Sequence, residues 1–235
     1  MLTVYVLSQV NNYSPRKHHK AMKTAQIPVA REGYPFIVSV AFATFIFALL
    51  GYDLIALITL FLTGFVVYFF RDPERISPDD EDVVVSPADG KVILVEKIFD
   101  DRFVNEHVYK ISIFMSVFDV HVNRIPFAGV VEKIQYAPGS FYAANTDQGG
   151  LANEHCGVIL STKKGFRYAV VQIAGLVARR IVCWVEKDDT IERGRRFGMI
   201  RFGSRVDIYL PQNIQIEVSS GQRVKAGETV IGYLA

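Results

Sequence analysis

Residues 34–70 read YPFIVSVAFATFIFALLGYDLIALITLFLTGFVVYFF, and residues 71–90 read RDPERISPDDEDVVVSPADG. The boundary between the two stretches divides the chain. The first is apolar almost throughout, with Asp53 its only formal charge. One continuous helix of that length would run roughly 55 Å at ~1.5 Å per residue, well beyond a hydrocarbon core of ~30 Å. A break near Gly51, Tyr52 and Asp53 therefore predicts two short helices of about 16 to 18 residues each, at the lower limit for crossing a bilayer. A tight two-helix hairpin and a re-entrant one both remain open. The structural alternative, a buried core hairpin, does not need so long an apolar run.

The flanks orient the hairpin. Arg16, Lys17, Lys20, Lys23 and Arg31 precede it and Arg71 and Arg75 follow, so the positive-inside rule puts both ends in the cytoplasm. The expected organisation is a basic N-terminal segment (1–33), a membrane hairpin (34–70) and a domain (71–235) facing the cytosol from the inner membrane. MLTVYVLSQV at the start lacks a basic region ahead of it and a small-residue cleavage site after it, which argues against a cleaved secretory signal.

Beyond residue 70, charge, Pro, Asp and Gly mark a linker and a domain start. Short runs rich in Val, Ile, Phe and Tyr follow: VVVSP, KVILVEKI, YKISIFMSVF, VVEKIQYA, GVILST, RYAVVQIA, DIYLP and IQIEVS. Gly, Pro, Asp and Asn separate them, and this predicts a mainly β domain; ARRIVCWVE can be read as strand or helix. Val185, Ile191, Gly194 and Phe197 recur as Val218, Val224, Gly227 and Val230 at the same internal spacing. The spacing resembles the turn of biotinyl and lipoyl carrier domains, in which Gly supplies a positive φ, and the expectation is a β-sandwich of that type. Neither repeat carries a Lys at its tip, which disfavours a carrier function.

Net charge is +2, from 26 basic and 24 acidic residues, and no field of one sign points to nucleic acid. Cys156 and Cys183 are the only cysteines; no ligand-like clustering with His suggests a metal, and none is expected. The chemistry must come from elsewhere. RFGSRVDIYLP places Gly203-Ser204 among strand-like residues. Alone, Gly-Ser is an ordinary turn. In a strained setting the Ser hydroxyl can instead attack the preceding, sterically open Gly carbonyl to give an ester. Elimination and hydrolysis then leave a pyruvoyl group, a keto function that condenses with an amine as a Schiff base and accepts the electron pair released by decarboxylation.

FFRDPER, SPADGKV, FMSVFDVHVNRIP, QYAPGSF, QIAGLVARRIVCWV and RFGSRVDIYLP, in that order, resemble the short bacterial form of the phosphatidylserine decarboxylase family. The resemblance runs from about residue 69 to the C-terminus. It implies that Ser204 is both the self-cleavage residue and the source of a covalent pyruvoyl cofactor, and that the product is a heterodimer of chains 1–203 and 204–235. The implied reaction converts phosphatidylserine to phosphatidylethanolamine and CO2. Archaetidylserine is the alternative substrate in related enzymes.

Under the same resemblance Asp89 is the acidic member of the self-cleavage apparatus, orienting an imidazole that accepts the Ser proton, and His121 is the first His of an H-x-x-H motif. The second His position holds Arg124, which cannot serve as a base near neutral pH. One imidazole, His121, is then expected to pair with Asp89 and to serve both steps. Arg124, Asn123 and His155 are candidate substrate-binding residues, Arg124 through paired donors to an anion, and His155 is also a candidate rescue base. Phe118 and Phe141 are candidates for the acyl-chain entry. As bland alternatives, Asp89-Gly90 is a hairpin turn, His121 a satisfied strand histidine, Arg124 a solvated charge and both Phe residues core. Expected partners are the phospholipid and the two cleaved chains; a higher homo-oligomer is left open. Two competing readings are a non-enzymatic membrane-tethered adaptor and a soluble pyruvoyl enzyme acting on a free amino acid.

Overall fold

A computed structural model describes residues 28–140, 152–175, 180–201 and 204–234. Gly203, Phe141 and the basic residues of the first 27 positions lie outside them. Helices α1 (Tyr34–Leu49) and α2 (Asp53–Phe69) occupy the apolar stretch, and the break falls at Gly51, whose φ of 73° is in the left-handed region that glycine tolerates. The helices pack on each other, with the Thr44 and Thr63 hydroxyl oxygens 3.3 Å apart. Every residue of α1 keeps solvent-accessible surface, and Phe42, Leu54 and Phe61 are more than 60% exposed. The segment Arg31–Leu49 is long and apolar enough to cross a membrane by length and composition.

The rest is mainly β. In chain order the strands are β1 (Val83–Val85), β2 (Gly90–Asp100), β3 (Glu106–Met115), β4 (Val122–Arg124), β5 (Gly129–Ala137), β6 (His155–Ser161), β7 (Arg167–Ala174), β8 (Ile181–Cys183), β9 (Thr190–Ile191), β10 (Arg196–Ile200), β11 (Ser204–Pro211), β12 (Ile214–Ile216), β13 (Arg223–Val224) and β14 (Val230–Leu234). They form one eight-stranded sheet in the order β13-β2-β3-β11-β7-β6-β5-β9 and two small sheets, β1-β14-β12 and β4-β10-β8.

This order is two-fold symmetric about the β11–β7 pair: β3 exchanges with β6, β2 with β5, β13 with β9, and the small sheets exchange with each other. The backbone repeats the relation. Val92 N–H donates to Gln222 O (2.8 Å) as Val131 N–H does to Asp189 O (2.9 Å), and Gly227 N–H donates to Ser86 O as Gly194 N–H does to Ile125 O, both at 2.8 Å. The sequence repeat around Gly194 and Gly227 is thus part of a larger one, in which SPADGKV (86–92) corresponds to IPFAGVV (125–131). Gly194 and Gly227 have φ of 76° and 74°, as their turn spacing predicts. The chemistry is not symmetric, because the partner of Asp89 is Ala128.

Strands at the centre of the large sheet are buried on both faces, which is why β7 reads as a continuous apolar run rather than an alternation. One face carries Ile111, Ile113, Met115, Val170, Ala174, Val206 and Ile208 into the main core. The other carries Ile159, Val171, Ile173 and Tyr209 beneath Phe103. A third cluster, Ala30, Phe69, Phe70, Val120, Val122 and Met199, joins the hairpin to the β domain.

Candidate active site

Ser204 opens β11 in the middle of the large sheet, opposite Met115 on one side and Ala174 on the other. Strand alternation puts its side chain on the main-core face with Val206 and Ile208. It is fully buried, and among the described residues its Oγ has no hydrogen-bond partner. Buried hydroxyls are nearly always paired, so an orphan marks a place where something other than stability sets the residue. Asn153 donates through Nδ2 to Ala174 O (2.8 Å), fixing the strand opposite Ser204.

His121 precedes β4 and is also fully buried. Its Nδ1 lies 2.9 Å from Asp119 O. A carbonyl only accepts, so Nδ1 carries the proton and Nε2 presents a lone pair, buried and, among the described residues, without a partner. Burial lowers the pKa of His121 from 6.5 to about 4, opposed by the Asp119 carbonyl and carboxylate and assisted by Arg71. The imidazole is therefore a neutral base at pH 7. Its ring packs on Phe69, the last residue of α2, with centroids 4.3 Å apart.

The loop 116–119 holds this geometry. The Asp119 carboxylate accepts from Ser116 N–H (2.9 Å) and Ser116 Oγ (2.7 Å) and pairs with Arg223 at 2.5 Å. Helix α2 grips the same loop: Tyr68 Oη and Arg71 donate to Phe118 O at 3.1 and 2.7 Å. Phe118 itself is 64% exposed, at the hairpin end of the domain.

Asp89 sits in the turn between β1 and β2, accepting from Ala226 N–H (2.7 Å) and pairing with Arg75 (2.9 Å). Burial raises its pKa against the opposing pull of the Ala226 hydrogen bond and Arg75, and Asp119 adds to the rise. Asp89 and Asp119 thus share one electrostatic neighbourhood. In this structure the imidazole is oriented by the Asp119 carbonyl, and Asp89 is not its hydrogen-bond partner.

The remaining candidates are placed differently. Asn123 is fully buried near the Ser204 strand pair, donating to Met115 Sδ (3.5 Å) and accepting from Gln172 Nε2 (2.8 Å); Gln172 Oε1 is a further buried atom without a partner among the described residues. The Arg124 guanidinium is engaged by Gly194 O and Pro73 O, both at 2.9 Å, and by Asp72 at 3.4 Å. It fastens the linker to the domain. His155 faces away from Ser204, because Ser204 pairs with Ala174 whereas His155 pairs with Ile173, whose side chain belongs to the opposite face. Its Nδ1 is 2.9 Å from Asn153 O.

Sequence reasoning passed over Asp119, Gln172 and Phe69. Asp119-x-His121 is an i, i+2 pair, and Gln172 is the one polar residue in RYAVVQIA beyond its first two positions, so both left a signal. Phe69 left none, since it reads as part of the apolar run.

A sequence model of a family described as phosphatidylserine decarboxylase matches residues 62–232. A curated protein named phosphatidylserine decarboxylase proenzyme from Desulfotalea psychrophila is 54% identical over 213 residues, covering 91% of this chain and 100% of that protein. Proteins of the same name from Syntrophotalea carbinolica (51% over 213 residues) and Geobacter sp. strain M21 (50% over 219 residues) likewise cover 91% of this chain and are covered in full.

Proposed function

This chain belongs to the phosphatidylserine decarboxylase family, and we propose that it is a membrane-anchored proenzyme that cleaves itself between Gly203 and Ser204 and decarboxylates phosphatidylserine to phosphatidylethanolamine. The observation that carries this reading is the Ser204 hydroxyl, buried and unpartnered at the head of β11 directly after a glycine, in a domain whose neutral His121 also buries an unpartnered nitrogen. A serine hydroxyl and an imidazole nitrogen that are both buried and, among the described residues, unspent on hydrogen bonds are the nucleophile and base that a self-processing centre requires.

In this reading His121 Nε2 takes the Ser204 proton as the hydroxyl attacks the Gly203 carbonyl. The amide bond becomes an ester, and its elimination releases the Gly203 carboxylate. Hydrolysis of the dehydrated serine yields ammonia and a pyruvoyl group at the start of chain 204–235. The residues fit such a group: Ser204 is enclosed by Met115, Ala174 and Val206, which keep water from it. When formed, the group supplies a carbonyl that captures the substrate amine and an electron sink for the departing CO2. His121 passes the Ser204 proton to the nitrogen freed from the amide; later it takes a proton from the substrate ammonium as the amine condenses, and returns it to the substrate carbon after CO2 leaves. Asp119 holds the imidazole through its carbonyl, and Asp89, secured by Arg75, keeps a second carboxylate in the same field. Arg124 holds the linker at the rim.

The hairpin is the anchor. Its Ser39, Thr44, Thr59 and Thr63 hydroxyls bond to carbonyls one turn earlier, so none needs water, and most of its apolar side chains short of Phe69 are exposed. The basic flanks set both ends, and with them the domain, on the cytosolic side of the inner membrane. The dyad-related hydrogen bonds and the paired glycines support reading the domain as a sandwich of the biotinyl and lipoyl type.

The test is CO2 release from serine-labelled phosphatidylserine in mixed micelles by the full chain. Wild type is expected to be active and Ser204→Ala and His121→Ala inactive. Activity retained in Ser204→Ala would refute the assignment, and archaetidylserine offered in parallel decides between the two lipid classes.

A further inference from the structure

Arg201 lies three residues before Ser204, and its backbone N–H donates to the carbonyl of Arg180 at 3.3 Å. The neighbouring residues Ile200 and Ile181 pair across β10 and β8, so the two arginines leave the same end of the small sheet side by side. Like charges so placed repel: burial, and after it the Arg180 charge, makes it harder for Arg201 to hold its proton. The Glu32 carboxylate acts on Arg201 in the opposite sense. Among the described residues it makes no ion pair with either arginine: Trp184 Nε1 donates to its Oε1 at 2.8 Å, and its Oε2 is buried without a hydrogen-bond partner. Among the described residues, neither guanidinium has an ion-pair partner, in contrast with Arg75, Arg124 and Arg196, each of which has one.

The location is informative. The Arg201 guanidinium lies over the ring of Phe36, in the first turn of α1, at 5.6 Å. If the hairpin enters the bilayer, this is headgroup depth. Three residues of chain span at most ~11 Å, so the Arg201 backbone is within that distance of the Ser204 backbone. In a phosphoserine headgroup only four bonds separate the amine nitrogen from phosphorus. A lipid whose amine reaches Ser204 must therefore place its phosphate within a few ångströms of that residue, on the side facing the membrane.

We infer that Arg180 and Arg201 form the subsite for the substrate phosphodiester, clamping its two free oxygens with paired guanidinium donors at the hairpin end of the site. The anion relieves the repulsion between the two cations, and guanidinium geometry suits tetrahedral oxyanions. This rests on the reading of Ser204 as the reacting centre.

The test uses the full chain in mixed micelles, with Arg180→Gln, Arg201→Gln and Arg201→Lys. Self-cleavage is scored first, on denaturing gels. If the wild type is not cut, the Ser204 reading fails and the subsite is not what has failed. With cleavage intact in every variant, KM for phosphatidylserine is expected to rise about tenfold or more in each Gln variant with a smaller change in kcat, and Arg201→Lys to recover part of the loss. Glycerophosphoserine should inhibit wild type and lose that effect in Arg201→Gln, while inorganic phosphate should be at least tenfold weaker. Unchanged KM in both Gln variants would overturn the inference. Equal inhibition by inorganic phosphate would also overturn it, by assigning the pair to free phosphate instead of a lipid headgroup.

Discussion

Phe69→Ala should move the acid limb of activity. The Phe69 ring covers the His121 imidazole at 4.3 Å, and burial is the leading reason that His121 titrates at about 4 instead of 6.5. That displacement corresponds to on the order of 3 kcal/mol in favour of the neutral ring, at ~1.36 kcal/mol per pH unit. A lowered pKa keeps the base competent as pH falls, so wild-type rates should hold until pH approaches 4. Removing the ring admits water beside the imidazole and returns its pKa toward 6.5; Asp119, which favours the proton, and Arg71, which opposes it, stay in place. With a pKa of about 6 in the variant, roughly a quarter of His121 is neutral at pH 5.5, against nearly all of it in wild type, a loss of about fourfold. The assay is the decarboxylation rate from pH 4 to 8 in mixed micelles, with the ratio of rates at 5.5 and 7.5 taken within each variant. That ratio cancels the amount of folded enzyme, which matters because Phe→Ala in a core costs ~3–5 kcal/mol. Phe69→Leu, a milder truncation, should fall between the two. An acid limb unchanged in both variants would refute the coupling of helix and base.

Further outcomes follow from the same geometry. Because folding depresses the His121 pKa, the unfolded chain takes up the proton first as pH falls. Stability in a Ser204→Ala background should be complete above about 6.5 and decline by up to ~3 kcal/mol as pH approaches 4, and denaturant midpoints should show that decline lost in Ser204→Ala/His121→Gln. Arg75→Ala strips the buried Asp89 carboxylate of its ion pair and should destabilise by ~3–5 kcal/mol and slow self-cleavage, read by denaturation and by gel. Gly227→Ala forces an L side chain to a φ of 74° with its Cβ 2.9 Å from Arg124 Cδ. A cost of at least ~1–2 kcal/mol is expected, seen as a Tm lowered by several degrees.

Much of this molecule can be read without coordinates, for identifiable reasons. The hairpin follows from length against bilayer thickness, and its break from a glycine that adopts the conformation glycine alone tolerates freely. The long strands β2, β3, β5, β6, β7 and β11 are visible as β-branched runs. β4, β9 and β13 are too short to show a period, and β4 is the strand that seats Asn123 beside Met115. The dyad was half visible: the glycine repeat is plain, whereas SPADGKV and IPFAGVV share little beyond Pro, Gly and Val. At the site, side-chain chemistry drew attention to Ser204 and the family resemblance to His121, but the group that orients His121 is a backbone carbonyl, and side-chain identity does not encode that. Arg124 reads as a free anion binder because nothing local reveals that Asp72 and Pro73 return to it across the fold.

The most direct test of the central claim is the intact mass of purified, mature protein under denaturing conditions. Two species ending at Gly203 and beginning at residue 204 are expected, the smaller with the mass of a keto group in place of its terminal amine and reactive toward a carbonyl reagent. A single species at 26.4 kDa in an active preparation would contradict the account.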